Sequence, residues 1–219
     1  MNFKAAIFDM DGVIVNSEPL HVEAWVKTAE PYGIELKQEM LETFRGLRLQ
    51  EVAALILSHF PEQTTGVSAE RLMKKKNIRL SELSRREAEL IPGVRAFLAL
   101  TRASYPQVAL ATACDPEIQQ IFFEKFSLDQ YFDVMVTGGD VTRGKPDPEI
   151  YLTTLSRLQL PADACFVIED AVNGVRSAKA AGCYTIGITT SVTRDALSQA
   201  GADLIVDQFK EIELLVTGY

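Results

Sequence analysis

Short apolar runs alternate with helical patterns along most of this chain. Lys4 to Phe8, Val108 to Ala111, Val134 to Val136, Cys165 to Ile168, Tyr184 to Ile188 and Leu204 to Val206 are each a few residues long and nearly all apolar. Such runs fit strands buried on both faces of a parallel sheet. Between them, Asp115-Pro116-Glu117 and Asp147-Pro148-Glu149 each offer an N-cap Asp, a Pro for the first helical position and an acid for the first turn. Ala171 to Ala181 has helical spacing and closes on Gly182, a suitable C-cap. Strands alternating with helices predict an α/β fold with a parallel sheet covered on both faces.

One stretch breaks the alternation. From Ser17 to Glu89 the pattern is helical only, with Leu49, Val52, Ala53, Ile56 and Phe60 forming one apolar stripe. Pro31-Tyr32-Gly33, Arg45-Gly46 and Pro61 punctuate it, and Ile91-Pro92-Gly93 marks the return to strands and helices. The expected organisation is a core from residues 1–16 and 90–219 and an inserted helical domain from 17–89, placed to act as a lid that opens for exchange and closes against water.

Composition narrows the function. The 219 residues are 47% hydrophobic and 24% charged, with 22 basic and 30 acidic side chains, a formal net charge of −8. Surplus acid argues against a nucleic-acid partner, which needs clustered Lys and Arg. No run approaches a membrane span, and the first residues lack the long apolar stretch of a secretory signal. Three cysteines without a C-x-x-C pair suit a reducing cytoplasm and no zinc site. With only His21 and His59 available, any metal must be held by carboxylates.

Those carboxylates gather at predicted strand ends. Asp9 and Asp11, Thr112, and Glu169-Asp170 each follow an apolar run, and Lys145 lies in the loop after the third. Ligands of open α/β sheets bind beyond the carboxyl ends of the strands, so these side chains are expected to converge. Crowded carboxylates repel unless a cation intervenes, and oxygen-only ligation with an open side suits Mg²⁺. Lys145 would add positive charge beside a phosphate or Asp9, and Thr112 a hydroxyl donor for a phosphoryl oxygen. Asp11 lies past the predicted strand end while Asp9 directly follows the strand, so the two cannot act identically, and one can attack while the other faces a leaving group. The stretch from Gly139 to Lys145 has P-loop spacing, but Pro146 stands where the Mg²⁺-binding hydroxyl belongs, and that reading fails.

Asp9-Met10-Asp11-Gly12-Val13, Thr112, Gly144-Lys145-Pro146 and Ile168-Glu169-Asp170-Ala171 occur in the order of the four motifs of the haloacid dehalogenase superfamily, which the chain resembles along essentially its whole length. The resemblance implies a Rossmann-like parallel sheet core with a small helical cap domain, as in the subgroup holding β-phosphoglucomutase, phosphoglycolate phosphatase and sugar phosphatases. It implies Asp9 as nucleophile and Asp11 as general acid/base. It further implies that Asp9, the Asp11 backbone carbonyl and Asp170 hold Mg²⁺ with Glu169 helping through water, and that Thr112 and Lys145 bind the phosphoryl group. Dehalogenases lack the second Asp, so Asp11 points to phosphate; no cap lysine of the phosphonatase kind can be placed.

Substrate contacts are expected from Thr112, Ala113, Lys145 and Asn173 in the core and from His21, Arg45 and Gly46 in the cap. Ser17, His21, Trp25 and Gly46 match β-phosphoglucomutase, but Arg45 replaces its lysine and Leu49 its phosphate-clamping arginine. Ser17-Glu18-Pro19-Leu20 and Gly46-Leu47-Arg48 resemble sugar phosphatases instead. Asn16 replaces the usual Asp at the cap hinge. The expected function is therefore a phosphatase for a small phosphorylated metabolite, with a β-phosphoglucomutase-type transferase next and a non-catalytic phosphate sensor last, in a cytoplasmic monomer. Lys74-Lys75-Lys76 with the nearby arginines reads as a solvated helical face, Trp25 as cap core and Cys114 as inert packing.

Overall fold

The six apolar runs form one parallel sheet. In the computed structural model, which describes residues 3–44 and 49–212, the strands are β1 (Ala5–Phe8), β2 (Gln107–Ala111), β3 (Val134–Val136), β4 (Cys165–Glu169), β5 (Tyr184–Ile188) and β6 (Leu204–Val206). Among the described residues there are nine α-helices: α1 (Glu18–Ala29), α2 (Gln38–Thr43), α3 (Leu49–His59), α4 (Ala69–Glu87), α5 (Val94–Ser104), α6 (Pro116–Phe126), α7 (Glu149–Leu158), α8 (Val172–Ala180) and α9 (Arg194–Ala200). The strand order is β3-β2-β1-β4-β5-β6, that of a doubly wound Rossmann-like sheet. The order reverses between β1 and β4, where such sheets open a crevice at their carboxyl ends.

Alternation along β1 explains its two-sided burial. Ala5 and Ile7 join Val167 of β4 and Ile150, Tyr151 and Leu155 of α7 in one core layer. Phe8 points the other way and meets Phe97 of α5 edge-on, with ring centroids 5.9 Å apart. All four β1 residues are fully buried, so no charge fits until the strand ends. Asp115 caps α6 as expected, accepting from the Glu117 N–H. At α7 the helix starts one residue later than predicted: Pro148 is the N-cap, while Asp147 Oδ1 still accepts from the Glu149 N–H.

The described residues divide into two compact units: the α/β unit runs to Asn16 and resumes at Glu89, and Ser17–Ala88 form a helical unit. Glu89, expected on the helical side, stays with the α/β unit because its carbonyl accepts from the Asn16 N–H at 2.9 Å. The helical unit has its own core, with Trp25, Phe44, Val52, Ala53, Ile56 and Leu72 buried together. Trp25 meets Phe44 edge-on, and the stripe positions Leu49 and Phe60 pack at the margin of this cluster.

Candidate active site

Register brings the acids together. Phe8 is level with Ile168 of β4 and Leu110 of β2, and the Asp9 N–H continues the ladder onto the Ile168 carbonyl at 3.1 Å. The residues that follow, Asp9 and Glu169, therefore emerge side by side where the strand order reverses. Asp9, Glu169 and Asp170 are all buried, and each offers a carboxylate oxygen such that the three lie within 4.8 Å of one another. Asp11, beyond the strand end, is partly exposed.

Lys145 links two of the acids. Its ammonium donates to Asp9 Oδ1 at 2.7 Å, to Glu169 Oε1 at 2.5 Å and to the Ala111 carbonyl at 3.3 Å. Glu169 is anchored on both oxygens: Oε1 also accepts from the Tyr151 hydroxyl at 2.6 Å, and Oε2 from the Asp170 N–H at 3.1 Å. Gly174, in the first turns of α8, makes room for this carboxylate, since a Cβ there would lie 2.0 Å from its Oε1. Thr112, fully buried at the end of β2, accepts from the Cys114 N–H at 3.0 Å and keeps its own O–H as a donor.

Electrostatics follow from this crowding. Burial raises the Asp9 carboxyl to about 7; Lys145 opposes the rise while Glu169 and Asp11 add to it. Burial also lifts Asp170 well above the carboxylate range, helped by Glu169 and Asp9 and opposed by Ser191 and Lys145. Burial acts to lower the Lys145 ammonium, but Asp9 and Glu169 outweigh it and hold it charged. One ammonium cannot compensate three buried acids ionised together, whereas a bound cation could, and all the donors are hard oxygens. That set fits a divalent cation of the Mg²⁺ type.

The remaining expected site residues are distributed as follows. Ala113 is exposed next to Thr112, and Asn173 lies partly buried in the first turn of α8. His21 belongs to α1 of the helical unit, where its Nδ1 is 3.1 Å from the Lys76 ammonium. Arg45 and Gly46 lie outside the described residues. The reading of the basic stretch as a solvated face needs correction at one position. Arg71, Lys74, Arg79, Arg85 and Arg86 are exposed, but Lys76 is only 3% exposed, because it falls on the face of α4 that carries Leu72 and Leu80. Cys114 is buried, and Tyr151, Thr190 and Ser191 are polar partners around the site that no motif marked.

A doubly wound sheet with a buried carboxylate–lysine centre at its topological switch point defines an α/β enzyme that works on an anionic group. Residues 6–188 match the family of haloacid dehalogenase-like hydrolases, and the chain belongs to that family. It is 35% identical to a phosphorylated carbohydrates phosphatase from Thermotoga maritima, over 93% of this chain and 94% of the relative. It is also 30% identical to a β-phosphoglucomutase from Bacillus subtilis, over 96% of this chain and 92% of that one. The crystal structure of CbbY from Rhodobacter sphaeroides in complex with phosphate superposes with a TM-score of 0.84 at 27% identity, covering 96% of each chain.

Proposed function

We propose that this enzyme is a Mg²⁺-dependent phosphatase that hydrolyses a small sugar phosphate through an aspartyl-phosphate on Asp9. The observation that carries the reading is the Asp9 carboxylate, buried at the end of the central strand with Lys145 2.7 Å from one oxygen. The other oxygen is left to attack. Asp9, Asp170 and the Asp11 backbone carbonyl would hold Mg²⁺, which supplies charge neutralisation for the phosphate dianion. Glu169, already engaged by Lys145, Tyr151 and the Asp170 N–H, is suited to supporting the site from behind.

In the first step an Asp9 oxygen bonds to phosphorus as the bond from phosphorus to the sugar oxygen breaks. Asp11 gives its proton to the departing alkoxide, so a neutral alcohol leaves. Water then attacks phosphorus, Asp11 takes back one of its protons, and the bond to Asp9 breaks to release inorganic phosphate. Lys145 and the Thr112 hydroxyl stabilise the equatorial oxygens in both steps. The transferase alternative shares the first step and replaces water with a sugar hydroxyl; the Bacillus subtilis relative supports keeping it in view. Leu49 weighs against it, since it packs on the core of the helical unit where the mutase carries a phosphate-clamping arginine.

The test is phosphate release from a panel of sugar phosphates with Mg²⁺ and again with EDTA. β-Glucose 1-phosphate is included with and without glucose 1,6-bisphosphate. EDTA-sensitive release without an activator is expected. Bisphosphate-dependent formation of glucose 6-phosphate with little free phosphate would favour the transferase.

A further inference from the structure

The loop that follows β5 reaches into the site from a direction no motif indicates. The Thr190 hydroxyl donates to the Gly12 carbonyl at 2.5 Å, and the Ser191 hydroxyl donates to Asp170 Oδ2. Serine and threonine hydroxyls in turns usually satisfy backbone groups a few residues away. These two adjacent hydroxyls instead bind partners far off in sequence, on the loops that follow β1 and β4. The three loops meet closely at Gly12. Gly12 has a φ of +73°, and a Cβ there would lie 1.8 Å from Asp170 Oδ2 and 2.6 Å from Ser191 Oγ. The turn that carries Asp9 and Asp11 and the carboxylate of Asp170 are thus tied to one short segment.

We infer that Ser191, with Thr190 beside it, is a positioning element of the metal site: its hydroxyl fixes the Asp170 carboxylate by one oxygen and leaves the other directed at the cation. The inference rests on the metal-dependent reading above. Ser191 acts through Asp170 and touches neither substrate nor the attacking atom. Without the hydroxyl the carboxylate loses its bonded partner on Oδ2 and turns more freely, so the cation binds less well before any chemistry begins. Partners of this kind behind a metal ligand typically contribute about 10–100-fold in affinity.

The experiment is direct binding of Mn²⁺, as a spectroscopic stand-in for Mg²⁺, followed by electron paramagnetic resonance of the free ion. Wild type, Ser191→Ala and Ser191→Thr are compared, each checked for a native circular dichroism spectrum. Ser191→Ala should raise the Mn²⁺ dissociation constant by about 10–100-fold, and Ser191→Thr should restore it. In turnover, raising Mg²⁺ should recover the kcat of Ser191→Ala without a change in KM for substrate. A merely structural role would give no such rescue. Wild type that binds Mn²⁺ while Ser191→Ala binds it equally tightly overturns the inference alone. Wild type that binds no Mn²⁺ overturns it together with the metal-dependent reading.

Discussion

Replacing Gly174 by alanine sets helix propensity against the geometry of the site. Alanine in a helix interior is favoured over glycine by roughly 0.5–1 kcal/mol, so on secondary structure alone Gly174→Ala should stabilise α8. The new Cβ, however, would sit 2.0 Å from both Cδ and Oε1 of Glu169 and 2.1 Å from Oε2. Ordinary contact is about 3.5 Å, so the carboxylate must retreat by about 1.5 Å. It is held by Lys145 at 2.5 Å and Tyr151 at 2.6 Å, and a shift of that size stretches such bonds beyond hydrogen-bonding range. Two bonds to a charged group, at about 1.5–3 kcal/mol each, outweigh the helical gain and leave a net loss of roughly 2–5 kcal/mol. Because Lys145 also holds Asp9, kcat should fall by about 100-fold, the usual effect of misplacing a reacting group by an ångström. Urea unfolding monitored by circular dichroism gives the stability, and phosphate release gives kcat. A variant more stable than wild type and fully active would show that Glu169 does not depend on this network.

Tyr151→Phe removes one hydroxyl and keeps a fully buried ring. The lost bond to Glu169 should cost about 1.5–3 kcal/mol in urea unfolding, and an unchanged midpoint would contradict the role given to that bond. His21 gives the helical unit a pH dependence. Burial, with Lys76 adding, depresses its imidazole from 6.5 to about 3, so between those values the unfolded chain binds a proton that the folded one does not. Stability from this group is complete above pH 6.5 and is lost as pH falls toward 3, by up to about 1.4 kcal/mol per pH unit. Comparing urea midpoints at pH 7 and 5 should show a smaller acid loss in His21→Gln than in wild type; equal losses would refute the assignment.

Much of this molecule is legible in the sequence because strand burial is a local signal. The six apolar runs mark the strands to within a residue at each end, and their abrupt stops at Asp9, Thr112 and Glu169 mark where the sheet opens. Polar groups that act through space are less legible. Tyr151 is one aromatic in an amphipathic helix, and only the register of β4 against α7 shows that its hydroxyl meets Glu169. Thr190 and Ser191 look like turn residues until the loops after β1 and β4 are seen to pack on them. Lys76 stands in a run of three lysines, and only its position on the face of α4 with Leu72 and Leu80 separates it from Lys74. A clue was available there, since Leu72, Lys76, Leu80 and Leu83 share one helical stripe.

The central claim is that phosphate passes through Asp9, and the most direct measurement traps it there. Wild type is mixed with a turned-over sugar phosphate labelled in its phosphoryl group, quenched in acid within the first turnover, digested and mapped. The account predicts hydroxylamine-labile label on the peptide containing Asp9 and none in Asp9→Asn, which should keep the wild-type circular dichroism spectrum. Label on another residue, or undiminished turnover by Asp9→Asn, would contradict it.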